Sequence, residues 1–176
     1  MHMKIYRYVL LCSYLLLTLP QALAQDIGVL HLSPLHLELP ATWSFDQSKQ
    51  PIEGHGLNGE KLLISVMRKR AGPATEAVPS VKEIAQKFAH GQMSKLASKG
   101  GATIVRPLSE FPVPEGKAAY SVASEKSSPF GGKKYFIQYI FATPEVIIFL
   151  TFEGNGEALS AMRQSDTLLN TQRWDD

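Results

Sequence analysis

The sequence predicts a single-domain α/β sandwich in which a central antiparallel sheet is covered by helices on both faces. Three observations carry that expectation. Short segments with alternating apolar residues follow one another across tight turns, which favours antiparallel pairing. Two segments instead repeat their apolar residues at helical spacing. One stretch, Val146 to Phe152, is apolar on both faces, and such a strand is usually central and covered on two sides.

The elements can be justified in order. Leu35, Leu37 and Leu39 alternate with His36 and Glu38 between Pro34 and Pro40, the period of a half-buried strand. A polar loop from Asp46 to Pro51 and a glycine-rich turn with Gly54, Gly56 and Gly59 lead to a strand over Lys61 to Arg70. In it Leu62, Ile64 and Val66 face one way and Leu63, Ser65 and Met67 the other. Ala71 to Pro79 reads as loop. Ser80 and Glu83 then form a capping box, followed by Val81, Ile84, Ala85, Phe88 and Leu96 at helical spacing, with Gly100 and Gly101 as the stop. Strands are expected over Ala102 to Leu108, Lys117 to Glu125 and Lys133 to Ala142, the last with Tyr135, Ile137, Tyr139 and Phe141 on one face. A turn at Ser128 to Gly132 separates the last two. Asn155 is expected to cap a closing helix to about Asn170, with Leu159, Met162, Leu168 and Leu169 inward and Trp174 just beyond.

The first 24 of the 176 residues read as a cleaved signal peptide. Lys4 and Arg7 precede an apolar run from Val9 to Leu19, and Ala22 and Ala24 supply the small residues before a cut between Ala24 and Gln25. The run is short for a membrane span, and Pro20 ends it. The expected product is a periplasmic protein of residues 25–176. All 16 acidic residues lie beyond the leader and two of the 18 basic ones within it, so the product carries no net formal charge. Bulk-charge binding of nucleic acid is therefore excluded, since such domains carry a basic excess. Cys12 leaves with the leader, and with it any disulfide, thiolate nucleophile or cysteine metal site.

Leu37-Glu38-Leu39-Pro40-Ala41-Thr42-Trp43 resembles the Leu-Pro-x-x-Trp opening of the PsbP-like superfamily. Leu62 to Val66 after a glycine turn, the helix from Ser80, Ile147 to Phe152, and the ending Asp166 to Thr171 are similar to later parts of that pattern. The likeness runs over residues 30–174. It implies an antiparallel sheet sandwiched by helices, usually without catalysis, acting as a binding or assembly module.

Motifs that carry chemistry are scarce. The sequence has no Gly-x-Ser-x-Gly elbow, P-loop, dinucleotide fingerprint or His-Glu-x-x-His. His31 and His36 stand five apart, on opposite faces of a regular strand unless Pro34 bends the chain and reunites them as a metal pair. The plainer reading is two satisfied histidines. His55, between Gly54 and Gly56, sits where a backbone can approach a ligand, although a lone turn histidine is more often structural. Glu110 and Glu115 flank a proline loop and read as solvated acids. Arg68, Lys69 and Arg70 end one strand while Lys133 and Lys134 begin another, so adjacent strands would merge them into one basic patch for an acidic partner. Charged strand ends that keep a sheet soluble are the simpler account.

These readings give an exported, non-catalytic protein that needs no cofactor and binds another protein in envelope assembly or maintenance. The partner-binding candidates are Arg68, Lys69, Arg70, Lys133, Lys134 and His55. A sharper version is an immunity protein that neutralises a toxin of a type VI-like secretion system. The alternative is a small-ligand or lipid carrier with a pocket between a helix and the sheet, lined by Tyr135 and residues on the Val146 side.

Overall fold

The computed structural model describes residues 27–68, 79–98, 102–129 and 131–175; the expected leader, Lys69, Arg70, Phe130 and the Gly100–Gly101 stop lie outside them. The elements are β1 (Ile27–His31), β2 (Leu35–Pro40), β3 (Ser44–Asp46), β4 (Ile52–His55), β5 (Lys61–Arg68), α1 (Val81–Ser98), β6 (Ala102–Glu110), β7 (Ala118–Ser127), β8 (Lys133–Ala142), β9 (Val146–Asn155), α2 (Ala158–Leu169) and β10 (Arg173–Trp174). They form two antiparallel sheets. The larger has the order β3-β4-β5-β9-β8-β7-β6, which puts the doubly apolar β9 in the middle. The smaller, β1-β2-β10, is a departure from the single sheet expected. Leu35, Leu37 and Leu39 do alternate as a strand, but they are almost wholly buried, and their partners are a hairpin strand and the chain's tail.

Register defines the two faces of the larger sheet. Ile64, Leu150, Tyr139 and Ser121 lie in one cross-strand row, and Ser65, Phe149, Ile140 and Tyr120 in the next, pointing the opposite way. The first face packs against the leucines of the small sheet and against Ala158, Met162 and Leu169 of α2. The second packs against Ala85 and Ala89 of α1, with Tyr120, Ile140, Ala142 and Phe149 beneath them. Alanines at the contact let the helix axis approach closely, and Phe88 fills the side against Phe149 with ring centroids 5.8 Å apart.

The helix ends differ from one another. In α1 the capping box forms as expected. The Ser80 N–H donates to Glu83 Oε2 at 2.8 Å, and the Glu83 N–H donates to Ser80 Oγ at 3.2 Å. In α2 the cap is Glu157, with no side-chain bond, and not Asn155. Asn155 is still paired with Lys134 in the sheet, and Gly156, at φ 118°, makes the turn that follows. The free N–H of Ala158 instead lies 3.4 Å from Glu125 Oε2. Leu159, expected inward, is 48% exposed, because it stands one position off the stripe formed by Ala158, Met162, Ser165 and Leu169.

A polar contact locks α2 to the sheet. Buried Tyr139 donates its hydroxyl to Asp166 Oδ1 at 2.6 Å, and Arg106 Nη1 of β6 reaches Asp166 Oδ2 at 3.2 Å. Burial, and then the Asp166 carboxylate, push the phenol far above its ordinary pKa, so it remains a donor at any ordinary pH.

Removing the α1 cap gives a direct test. Ser80→Ala should cost about 1 kcal/mol in urea unfolding. Bonds from the Ser80 backbone and hydroxyl hold the Glu83 carboxyl below its ordinary value. The stabilisation it contributes is therefore present above that ordinary value and lost as pH falls through the lowered one. The gap between wild type and Ser80→Ala should shrink on acidification, and a gap independent of pH would contradict the box.

Candidate functional site: a cleft between α2 and the β4–β5 turn

The sequence candidates are not brought together. Arg68 pairs with Val146 at one end of β9, whereas Lys134 pairs with Asn155 at the other. Nine strand positions separate them, about 30 Å at the usual strand rise. The merged basic patch is therefore corrected: β5 and β8 are not neighbours but flank β9, each antiparallel to it, so they run parallel and the end of β5 lies far from the start of β8. Lys133 is also neutralised locally by Glu125 at 2.7 Å and Glu157 at 2.8 Å. Lys134 borders an open hollow of about 720 Å³ whose rim mixes Lys61 and Lys126 with Glu125 and Glu153. Lys69 and Arg70 lie outside the described residues.

His55 ends β4, exposed, with its Nε2 3.9 Å from Glu53 Oε2. Its flanking glycines are occupied by the protein itself. A methyl on Gly54 would strike the ring of Phe45, its cross-strand partner, and one on Gly56 would lie 2.6 Å from Glu60 Oε2. Glu110 is tied to Lys82 at 2.7 Å, and that bond holds its carboxyl below the ordinary value, the wrong direction for a general acid.

His31 and His36 are reunited by the turn at Pro34. They pair across the β1–β2 hairpin with their Nδ1 atoms 2.5 Å apart, and His36 Nε2 contacts Asp175 Oδ1. A carboxylate accepts, so the His36 Nε2–H is the donor to Asp175, and the His36 Nδ1 faces His31. Asp175 and His31 thus sit on opposite nitrogens of one ring and cannot share a single ion. Among the described residues no group of three or more His, Cys, Asp or Glu side chains is placed to hold a metal. The trio fastens the tail to the hairpin, assisted by the Asp175 N–H donating to the Pro34 carbonyl at 2.9 Å.

The concave site lies elsewhere. On the face shared by α2 and the small sheet, a cleft of about 590 Å³ opens between α2 and the β4–β5 turn, with the end of β2 along one side. Tyr135 and Phe152 form its floor, Leu39 and Trp43 one wall, and Ala161 and Leu168 of α2 the other. Leu57, 77% exposed, stands at its rim. A pocket lined by Tyr135 was expected on the Val146 side; the cleft instead uses Phe152, towards the opposite end of β9. Trp43 stacks on Phe45 at 6.2 Å and meets Phe152 edge-on at 6.4 Å, so its ring is fixed by packing.

Glycines shape the floor. Tyr135 faces Gly154 across the β8–β9 pair, and a methyl there would collide with the phenol. The aromatic ring therefore lies down over the glycine, as Phe45 does over Gly54. Trp43 and Tyr135 also pack against the protein itself, Trp43 on Phe45 and Phe152 and Tyr135 over Gly154. The missed signal was the recurrence of a glycine within a strand, where it leaves room for a neighbouring ring.

No protein-family model matches the chain, and no curated protein matches it in sequence. Solved structures do. The solution structure of the cyanobacterial PsbP protein of Synechocystis sp. PCC 6803 is similar over 86% of this chain and 94% of its own, with TM-score 0.56 and 11% identity. A crystal structure from Bacteroides thetaiotaomicron VPI-5482 is similar over 86% of this chain and 48% of its own, with TM-score 0.50 and 10% identity. The chain has the PsbP-like fold. At these identities the likeness is one of fold alone.

If the cleft floor depends on the ring over Gly154, then Gly154→Ala should lift Tyr135 into the cleft and destabilise the fold by about 1–3 kcal/mol. A crystal structure of the variant with Tyr135 unmoved would contradict that role.

Proposed function

We propose that this protein is an exported, non-catalytic binding protein of the periplasm, and that its working site is the cleft, holding a small and largely apolar ligand. One observation carries the reading: a pre-formed concavity of about 590 Å³ with an aromatic floor. Small-molecule sites usually occupy roughly 300–1,000 Å³ and combine apolar walls with a few polar groups. Asn58, Gln164 and Thr171 supply such groups around this one. The non-catalytic part is supported by the fate of the acid–base candidates. His55 is exposed and outside the cleft, and Glu110 is committed to Lys82. Export is supported by the signal-peptide pattern of residues 1–24.

Native mass spectrometry of the protein purified from its own host's envelope should find a non-covalent mass of a few hundred daltons. An unliganded mass, together with no thermal shift across a panel of metabolites and lipids, would overturn the ligand reading.

Protein binding is favoured as a second reading by one residue. Leu57 projects from the β4–β5 turn at the mouth of the cleft, 77% exposed, as an anchor for a partner would. Leu57→Asp should then abolish capture of a specific envelope protein while leaving the melting temperature unchanged. Retention of that partner by the variant would exclude the rim as its contact.

A further inference from the structure

We propose that the cleft selects an organic cation: a ligand with an apolar body and an ammonium group, the charge seated against Glu60 beside the ring of Trp43. This rests on the reading of the cleft as a ligand site, and adds the class of ligand.

Among the described residues, the charged ones lining the cleft are Glu38 and Glu60, and no lysine, arginine or histidine lines it. Glu38 is already answered by Arg173, whose Nη2 lies 2.6 Å from Oε1. Glu60 has no such partner among the described residues. Its two oxygens take the Asn58 backbone N–H at 2.9 Å and the Asn58 side-chain amide at 3.0 Å. Those donors are neutral, so they fix the carboxylate in place and leave its charge unbalanced. Partial burial pushes the Glu60 carboxyl up, but the Asn58 side chain and backbone N–H groups outweigh that and hold it below its ordinary value. It is therefore an anion at neutral pH.

Trp43 is its neighbour. A methyl built on Gly56 would touch Glu60 Oε2 at 2.6 Å and Trp43 Cζ2 at 3.3 Å, so carboxylate and indole flank the same point of the backbone. Tyr135 is raised above its ordinary value by burial, and then by the charge of Glu60, so it adds a neutral aromatic hydroxyl. A fixed carboxylate in an aromatic-lined cleft is chemistry suited to an ammonium ion, since the carboxylate attracts its charge and the rings receive its apolar substituents. A neutral ligand would cover Glu60 without balancing its charge, and an anion would be repelled. A lone lysine side chain of a protein partner would leave most of about 590 Å³ unfilled, which favours a small amphiphile carrying its own apolar body.

Three probes sharing an octyl tail separate the possibilities: octyltrimethylammonium, octyl glucoside and octyl sulfate, each titrated calorimetrically below its micelle concentration. The cation should bind roughly tenfold more tightly than the neutral probe, and the sulfate more weakly than both. Glu60→Gln keeps an oxygen for the Asn58 donors and should remove the preference while retaining the neutral probe. Equal binding of all three to the wild-type protein would overturn the cation inference and leave the cleft a ligand site. If none binds and none shifts the melting temperature, the ligand reading falls as well. The probe series on the unaltered protein decides even if Glu60→Gln fails to fold.

Discussion

The fold depends on burying a central strand pair on both sides. β9 has one polar side chain between Val146 and Phe152, Thr151, and that one is 7% exposed and takes a hydrogen bond from Gln138 of β8 at 3.0 Å. Neither face of this pair can be left to water, so each must acquire a cover. The two covers are built differently. One is a single helix that presents alanines and can lie close to the sheet. The other is a composite of α2 and a separate three-stranded sheet, whose leucines enter the same core as Met162.

A composite cover has a seam, and the cleft is that seam. α2 is fixed by the Tyr139–Asp166–Arg106 contact, and the small sheet by its leucines and by Trp174, whose ring lies 5.8 Å from Phe141. Each half has its own anchor on the larger sheet, and α2 also touches β2, so the two meet along part of their length and leave the cleft along the rest. Between them the floor consists of two large rings, Phe152 and a Tyr135 that lies down over Gly154 opposite it. Such a surface is rigid, which lowers the entropic cost of binding, because little has to be ordered when a ligand arrives.

Local patterns carried much of this into the sequence. The capping box of α1 is visible in two residues three apart, since both bonds are made within one turn. The position of β9 is visible because double-faced burial leaves no polar alternation. Nonlocal facts were not visible. Leu35, Leu37 and Leu39 announce a strand without naming its sheet. Nothing in Arg68 or Lys134 says that their strands run parallel, so that the end of one lies far from the start of the other, which follows from the antiparallel pairing of both with β9. Leu159 and Met162 both fit a helical stripe, and the tilt of α2 on the sheet chooses between them. Of the cleft, the Leu-Pro-x-x-Trp segment supplied Leu39 and Trp43, but their meeting with Tyr135 and Leu168 requires the whole topology.

An unbalanced carboxylate in an apolar seam also needs a reason on folding grounds. Burial alone would favour its protonation, and an apolar residue would cost nothing there. Glu60 instead remains ionised because the β4–β5 turn folds Asn58 back onto it, and Gly56 leaves the space its oxygen occupies. Three residues of one short turn are thus committed to presenting a negative charge towards the mouth of the cleft. Arg173 satisfies Glu38 from a neighbouring strand, which shows that this fold can supply a cation to a carboxylate at the cleft edge. At Glu60 it supplies amides, which orient the charge without cancelling it. The difference between these two glutamates gives the seam a direction, with an apolar floor at one side and an uncompensated anion at the other.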